Sequence, residues 1–197
     1  MGVSRESEER FQVYLERLVF WQKSINLVSR ETLSDLEGRH LLDSQQVGVW
    51  LKEILCGENK DIADLGSGAG FPGMVLAMMG IGRVALIEAN GKRCAFLRDV
   101  RRATNTSVEI IQFRIEDIHN RKFDVVVSRA LADLNQLLSY AHSLLRRGGI
   151  CLFLKGKESE DEVVQAQINW NFSVERKRSV TNEDGVLLLI SDLEKKT

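Results

Sequence analysis

Residues 61–73 read DIADLGSGAGFPG, and the apolar run VALIE follows at 84–88. A short apolar strand runs into glycines at alternate positions, Gly66, Gly68 and Gly70, and a helix is expected to begin at Pro72. Backbone without side chains at a strand-to-helix turn lets a ligand come close to main-chain N–H groups. The second apolar run ends on an acid, Glu88. Open α/β folds hold an adenosine with this pairing, main chain under one part and a carboxylate on the ribose hydroxyls. The stretch therefore predicts an adenosine-containing cofactor.

Gly68, Gly70 and Gly73 also fit the dinucleotide pattern G-x-G-x-x-G, with Glu88 about twenty residues further on. A nicotinamide cofactor is thus one reading. Asp64, in the strand just before the loop, argues against it. A carboxylate there repels a pyrophosphate and attracts a cation. S-adenosylmethionine has no phosphate and carries a sulfonium and an α-ammonium, so it suits an acid beside a glycine turn. The plainer alternative is that Asp64 caps the following helix, which leaves Glu88 unexplained.

The chain has 197 residues, of which 44% are hydrophobic, enough to bury the core of one domain. A net charge of −1 argues against non-specific coating of nucleic acid and leaves room for a local basic patch. Cys56, Cys94 and Cys151 are far apart, form no metal-ligand or redox pair, and read as small buried hydrophobes in a reducing compartment. No metal is expected. The N-terminal MGVSRESEER lacks the apolar core of a signal peptide, and no apolar run reaches membrane-spanning length. A soluble, cytoplasmic protein is expected, and nothing suggests an obligate dimer, so the expectation is a monomer.

Phe11, Tyr14, Leu15, Leu18, Trp21 and Ile25 recur at helical spacing and predict a helix over 7–28. Leu33–Leu36 is expected to form a helical turn, and a second helix is expected over 39–55. The polar stretch 57–60 marks a boundary, which gives a helical extension over 1–59 and a sheet domain over 60–197. From there, apolar runs at 61–65, 83–88, 108–112, 123–128 and 150–154 alternate with helical segments near 72–80, 91–104, 133–146 and 159–169. Such alternation means a parallel sheet with crossover helices. Gly148–Gly149 are read as the C-terminal cap of the fourth of these helices. At the end, runs 172–179 and 186–191 flank NEDG, a hairpin signal. A sheet closing on an antiparallel pair suits a methyltransferase better than an all-parallel dinucleotide fold.

Further candidates lie at the ends of the later strands. Glu116 or Asp117, after the third strand, can accept from an adenine amino group, and Ile115 can pack on the ring. Arg129 ends the fourth strand, on the edge where such sheets place ligands, and can bind a carboxylate or phosphate. Lys92, Arg93, Arg98, Arg101 and Arg102 share one helix, and Lys155 ends the fifth strand. Arg39 and His40 are placed to face the same cleft. With Pro72 the only proline, no Asp/Asn-Pro-Pro-aromatic motif exists to grip an exocyclic amine, and there is no Pro-Cys dipeptide for covalent attack on a pyrimidine. What remains is a nucleophile activated by a base that the sequence does not reveal, or one that attacks unaided, such as guanine N7. That chemistry needs alignment and electrostatic support rather than a general base. No general base is assigned. Arg129 and Lys155 are positioning candidates.

NLVS (26–29), RHLLDS (39–44), DLGSGAGFPG (64–73), NGKRCAFLR (90–98), RIED (114–117), SRALADL (128–134) and LKGK (154–157) stand in an order that resembles the bacterial 16S rRNA guanine-N7 methyltransferases, the glucose-inhibited division protein B family. The resemblance runs from about residue 10 to the C-terminus. It implies a class I, Rossmann-like S-adenosylmethionine-dependent methyltransferase sheet with an N-terminal helical extension. It implies methylation of guanine 527 (rRNA numbering) of 16S rRNA, in the small subunit or an assembly intermediate. Cofactor contacts fall on Gly66, Phe71, Ile115, Glu116 and Arg129, to which the reading of the glycine turn and its two acids adds Asp64, Gly68 and Glu88. RNA is expected at Lys92, Arg93, Arg129, Lys155, Arg39 and His40. A methyltransferase acting on another RNA, a protein or a small molecule remains open, as does a non-catalytic module that binds the cofactor and docks on the ribosome.

Overall fold

The computed structural model describes residues 3–29 and 31–196. Met1, Gly2 and Arg30 of the expected extension and Thr197 of the expected sheet domain lie outside the described residues. Ser4 caps the first helix, α1 (Arg5–Gln22), its Oγ accepting from Ser7 N at 3.2 Å. The helix stops six residues short of the expected 28 because Gln22 turns the chain. Its side-chain oxygen accepts from Leu27 N and Val28 N, and its amide donates to Val28 O. That local substitute for helical bonding carries Ile25 and Leu27 into the core as a loop.

A 3-10 turn (Leu33–Asp35) and a π-helical turn (Glu37–Leu41) lead into α2 (Leu42–Leu55). The sheet elements follow as β1 (Asp61–Leu65), α3 (Gly73–Met78), β2 (Arg83–Ile87), α4 (Gly91–Ala103), β3 (Glu109–Ile111), a 3-10 turn (Ile115–Asp117) and β4 (Phe123–Arg129). Then come α5 (Leu134–Leu144), β5 (Leu145–Lys155), α6 (Ser159–Asn169), β6 (Trp170–Arg178) and β7 (Val186–Lys195). The seven strands lie in the order β3-β2-β1-β4-β5-β7-β6, the first five parallel and β7 antiparallel to both neighbours. The strand order reverses between β1 and β4, which is where such sheets bind ligands.

Alternate residues of each central strand feed two cores. Ile62, Leu86, Val125, Val127 and Leu152 pack under α1, α2, α3 and α4; Ala63, Leu65, Ile87, Val126 and Phe153 pack under α5 and α6. The N-terminal helices share the first core with β1 and β2 and are pinned to it by polar bonds. Ser7 Oγ donates to Met78 O at 2.8 Å, and Trp21 Nε1 donates to Asp99 Oδ2 at 2.9 Å.

Two local expectations are corrected. Gly148–Gly149 do not cap a helix: α5 ends at Leu144 and the backbone is already extended at Leu145. Arg146 pulls the chain into the sheet at that point, pairing with Asp61 at 2.7 Å and Asp124 at 2.6 Å. The glycines then form an irregularity in the β4–β5 register, where a Cβ on Gly149 would meet Asp124 O at 2.9 Å. Cys94 and Cys151 are buried as expected, but Cys56 is exposed, in a left-handed conformation that ends α2.

Candidate active site

The site begins where β1 leaves the sheet. Gly66, Gly68 and Gly70 all have positive φ, at 63°, 54° and 98°. A Cβ on Gly66 would come within 2.5 Å of the Leu131 side chain, whereas one on Gly68 would meet only Gly66 O, at 3.7 Å. Gly68 is therefore open for something outside the chain to approach. Three bonds fix the loop. Ser67 N donates to Ile87 O at 3.0 Å, Ser67 Oγ to Asp64 O at 2.9 Å, and Gly68 N to Glu88 Oε2 at 2.9 Å. From beneath, the Tyr14 hydroxyl donates to Ala69 O, and burial raises its pKa well above the usual value, so it stays protonated.

Glu88 is 6% exposed, and its other oxygen accepts from Asn90 N at 2.7 Å. Asn90 in turn caps α4, accepting from Lys92 N and Arg93 N. Each carboxylate oxygen of Glu88 is thus oriented by one main-chain N–H and keeps further acceptor capacity. Asp64 sits differently. It is fully buried, accepts from Gly73 N at 3.1 Å, and leaves Oδ1 without a partner. Burial pushes its pKa up to about 7, against the pull of the Gly73 N–H, the Ser67 hydroxyl and Arg129. The capping alternative therefore describes one of its oxygens, and the other is an unpaired buried acceptor.

A cavity of about 370 Å³ opens above the loop. It brings together Gly66, Gly68, Phe71, Arg93, Arg129, Arg39 and His40 among the predicted residues. Asp64, Glu88, Ile115, Glu116, Lys92 and Lys155 do not line it. Ile115 is 9% exposed and packs with Ala63, Leu65 and Ile87. Glu116 is exposed and accepts from the Tyr140 hydroxyl at 2.7 Å; a backbone N–H and this hydroxyl lower its pKa.

Three of the residues expected to contact RNA are engaged within the fold. Arg129 is not a free cation: Nη1 donates to Arg39 O at 3.1 Å, Nη2 donates to His40 Nδ1 at 2.6 Å, Asp43 lies 3.8 Å away, and the guanidinium sits 5.1 Å over the Phe71 ring. His40 is buried and stacked on Phe71. Burial, then Arg129 and Arg39, lower its pKa to about 4, so it is neutral. Arginine has no acceptor, so Nδ1 must accept and Nε2 carries the proton, with no partner for it. Lys155 is largely buried, donating to Ala132 O at 2.9 Å and pairing with Glu162 at 2.6 Å. Arg39, Lys92 and Arg93 remain at the surface, Arg93 with Glu88 at 3.8 Å.

Asp43 and Tyr14 were missed from the sequence. Asp43 accepts from Gln46 at 2.9 Å and from the Thr181 hydroxyl, which ties α2 to the hairpin. Its signal lies within RHLLDS: His40 and Asp43 are one turn apart and both face Arg129. Tyr14 carried no signal beyond its apolar helical position. A second cavity, of about 390 Å³, adjoins the first and shares Asp43, Arg129 and Ala130 with it. Among the described residues, no three His, Cys, Asp or Glu side chains are grouped to hold a metal ion, and no helix is long and apolar enough to cross a membrane.

A family model described as rRNA small subunit methyltransferase G matches residues 7–187. Two relatives carry the name ribosomal RNA small subunit methyltransferase G. That of Paramagnetospirillum magneticum is 46% identical, over 98% of this chain and 93% of its own. That of Rhodospirillum centenum is 44% identical, over 98% and 87%. Among solved structures, magnesium protoporphyrin IX methyltransferase from Synechocystis, with bound S-adenosylmethionine, superposes with a TM-score of 0.65 at 12% identity over 100% of this chain and 99% of its own. The ribosomal protein L11 methylase of Lactobacillus delbrueckii subsp. bulgaricus gives 0.61 at 17% identity, over 78% and 79%. At these identities the structures show a shared class I methyltransferase fold.

Proposed function

This chain belongs to the rRNA small subunit methyltransferase G family, and from that premise we propose that it transfers the methyl group of S-adenosylmethionine to N7 of a guanine in 16S rRNA, at the position 527 that the resemblance implies. The observation that carries the reading is the bridge from Gly68 N to Glu88 Oε2, which fixes an open glycine turn and an oriented carboxylate side by side at the point where the strand order reverses. When bound, S-adenosylmethionine supplies a methyl group on a positively charged sulfur.

The residues present fit that cofactor. Glu88 accepts from the ribose hydroxyls with the capacity its two N–H partners leave free. Gly66 and Gly68 offer main chain to the methionine end, and Asp64, with one unpaired oxygen beneath the loop, supplies negative potential for its cationic groups. Ile115 and Glu116 frame the adenine, Glu116 as an anion held by Tyr140. Phe71 and Arg129 form one wall, with Arg129 acting as a positioning residue locked by His40 and Asp43. Arg39, Lys92 and Arg93 meet RNA phosphates. No base is required, because guanine N7 attacks through an existing lone pair, and His40, neutral and tied to Arg129, has no proton to take. The protein works as a cytoplasmic monomer on the small subunit or an assembly intermediate.

The test is to incubate small subunits from a strain lacking the enzyme with the protein and radiolabelled cofactor, and to map the labelled nucleotide. One N7-methylguanine in 16S rRNA is expected. Label on protein, at another atom, or nowhere overturns the reading.

A further inference from the structure

Apart from Asp43, Arg129 and Ala130, the second cavity draws its walls from parts of the chain that the first does not use. These are the end of β5 and the turn after it (Leu154, Lys155, Gly156, Lys157, Glu158), Glu162 of α6, and the β6–β7 turn with Val186 and Leu187. Leu154 and Leu187 give it buried apolar surface. Most of its polar groups are engaged with one another, Lys155 with Glu162 and Asp43 with Gln46 and Thr181. Two charged side chains are not. Glu158 and Lys157 are exposed and make no hydrogen bond or ion pair among the described residues. Glu158 precedes α6, yet its side chain caps nothing. Arg178, also exposed, stands opposite Val186 in the hairpin.

We propose that this cavity receives the acceptor guanine, turned out of its RNA stack, with the Glu158 carboxylate accepting from N1–H and the 2-amino group and with Lys157 and Arg178 meeting the flanking phosphates. The inference rests on the functional reading above and adds the base pocket to it. A ring nitrogen held in a structured RNA must leave its stack to meet a buried reagent. The wall shared by the two cavities puts such a base next to the cofactor, and the volume is that of a small-ligand pocket. The apolar surface of Leu154 and Leu187 suits the base faces. On the edge remote from N7, guanine presents two adjacent donors. Adenine presents a bare N1 lone pair there, which a carboxylate repels. One free carboxylate on a wall that the first cavity does not share therefore both binds the base and selects it.

The same contact helps the chemistry. As the N7 lone pair forms its bond to carbon, the sulfur–carbon bond breaks with its electron pair left on sulfur. The positive charge passes to the imidazole ring, and no proton moves. N1–H becomes more acidic as that charge develops, so its bond to Glu158 is stronger in the transition state than before it.

The experiment uses an RNA fragment carrying either guanosine or inosine, which lacks the 2-amino group, at the nucleotide mapped above. Glu158→Ala is expected to lower kcat/KM on the guanosine RNA by about 10–100-fold, the scale for losing a charged hydrogen-bond partner. It should bring the guanosine-to-inosine ratio towards one, both in methylation and in equilibrium binding of the RNA, with S-adenosylhomocysteine affinity unchanged. Gly156→Phe supplies a second variant, because Gly156 lines the cavity and a Cβ there meets nothing within 4 Å. By filling the cavity it should cut RNA methylation and leave cofactor affinity alone. Glu158→Ala with wild-type kcat/KM and undiminished preference for guanosine, or a fully active Gly156→Phe, overturns the proposal. Failure of the underlying functional reading looks different, since the wild-type protein would then label neither RNA.

Discussion

Gly68, which lines the first cavity, and Glu88, which sits behind it, are twenty residues apart in sequence and joined through a main-chain N–H. Arg129 and His40, also at that cavity, are 89 residues apart and joined side chain to side chain. The first pair is local: two adjacent parallel strands end side by side, and the loop of one is bonded to the acid of the other. Its remaining hydrogen-bonding capacity points to a ligand. The second pair exists only because the N-terminal helices have packed onto the sheet, and its polar groups are largely used on each other. Under the proposed function, the contrast separates a surface that serves the cofactor from a clasp that serves the fold. Changes in the first should alter binding with little effect on stability, and changes in the second should do the reverse.

The largest effect is expected from Gly66→Val. The left-handed backbone penalises a β-branched residue by about 1–3 kcal/mol, and the new side chain meets Leu131. Leu131 is 37% exposed and can move, so the fold survives. Titration calorimetry with S-adenosylhomocysteine should show a loss of at least about 100-fold, roughly 2.7 kcal/mol. Near-native affinity would break the assignment of this wall to the cofactor.

Arg129→Ala tests the clasp. It strands His40 Nδ1 and leaves Asp43 without its cation, at a cost to stability of about 2 kcal/mol. Since both singles break the same contact, Arg129→Ala and His40→Ala should be non-additive in a double-mutant cycle read by urea denaturation. If Arg129→Ala instead abolishes cofactor binding at unchanged stability, the guanidinium belongs to the ligand and the contrast collapses.

Glu88→Ala should be milder, about tenfold in cofactor affinity, because the Gly68 and Asn90 N–H groups it leaves sit at the edge of solvent and can bond water. A cofactor analogue without ribose hydroxyls sharpens this prediction. With it, wild type and Glu88→Ala should bind equally.

The same contrast explains what could be read from the chain. The loop and Glu88 were legible because strand, glycine turn, helix and terminal acid follow one another within 28 residues, 61–88. The terminal hairpin was legible from its Asp-Gly turn. The clasp was not, because no local pattern says that His40 and Asp43 will meet Arg129. For the same reason Lys155 read as a free cation: its partner, Glu162, lies on the next helix, and charge in a sequence does not reveal whether it is already neutralised. The early end of α1 was hidden in the side chain of Gln22, whose bonds to Leu27 and Val28 compete with the helix only once the loop closes.

Asp64 belongs to neither side cleanly, and the smallest prediction concerns it. Burial raises its carboxyl to about 7, with Glu88 adding to the rise and Arg129 opposing it. The folded state therefore holds this proton more tightly than the unfolded chain, whose aspartates titrate near 3.9. The stability this confers is complete below about pH 4 and is lost as pH rises towards 7, above which the penalty of an ionised buried acid is fully expressed. Asp64→Asn keeps an acceptor for Gly73 N and cannot ionise. The melting temperature of wild type minus that of Asp64→Asn should therefore fall between pH 5 and pH 8. Cofactor affinity should move the opposite way. A cationic ligand prefers the ionised acid, so wild-type affinity for S-adenosylhomocysteine should rise several-fold from pH 6 to pH 8, while that of Asp64→Asn stays flat. A difference in melting temperature that does not change with pH would mean that Asp64 is already ionised in the free protein. A flat wild-type binding profile would place the ligand's ammonium beyond its reach, and Asp64 would then serve the fold as a cap of α3, on the same side of the contrast as His40 and Asp43.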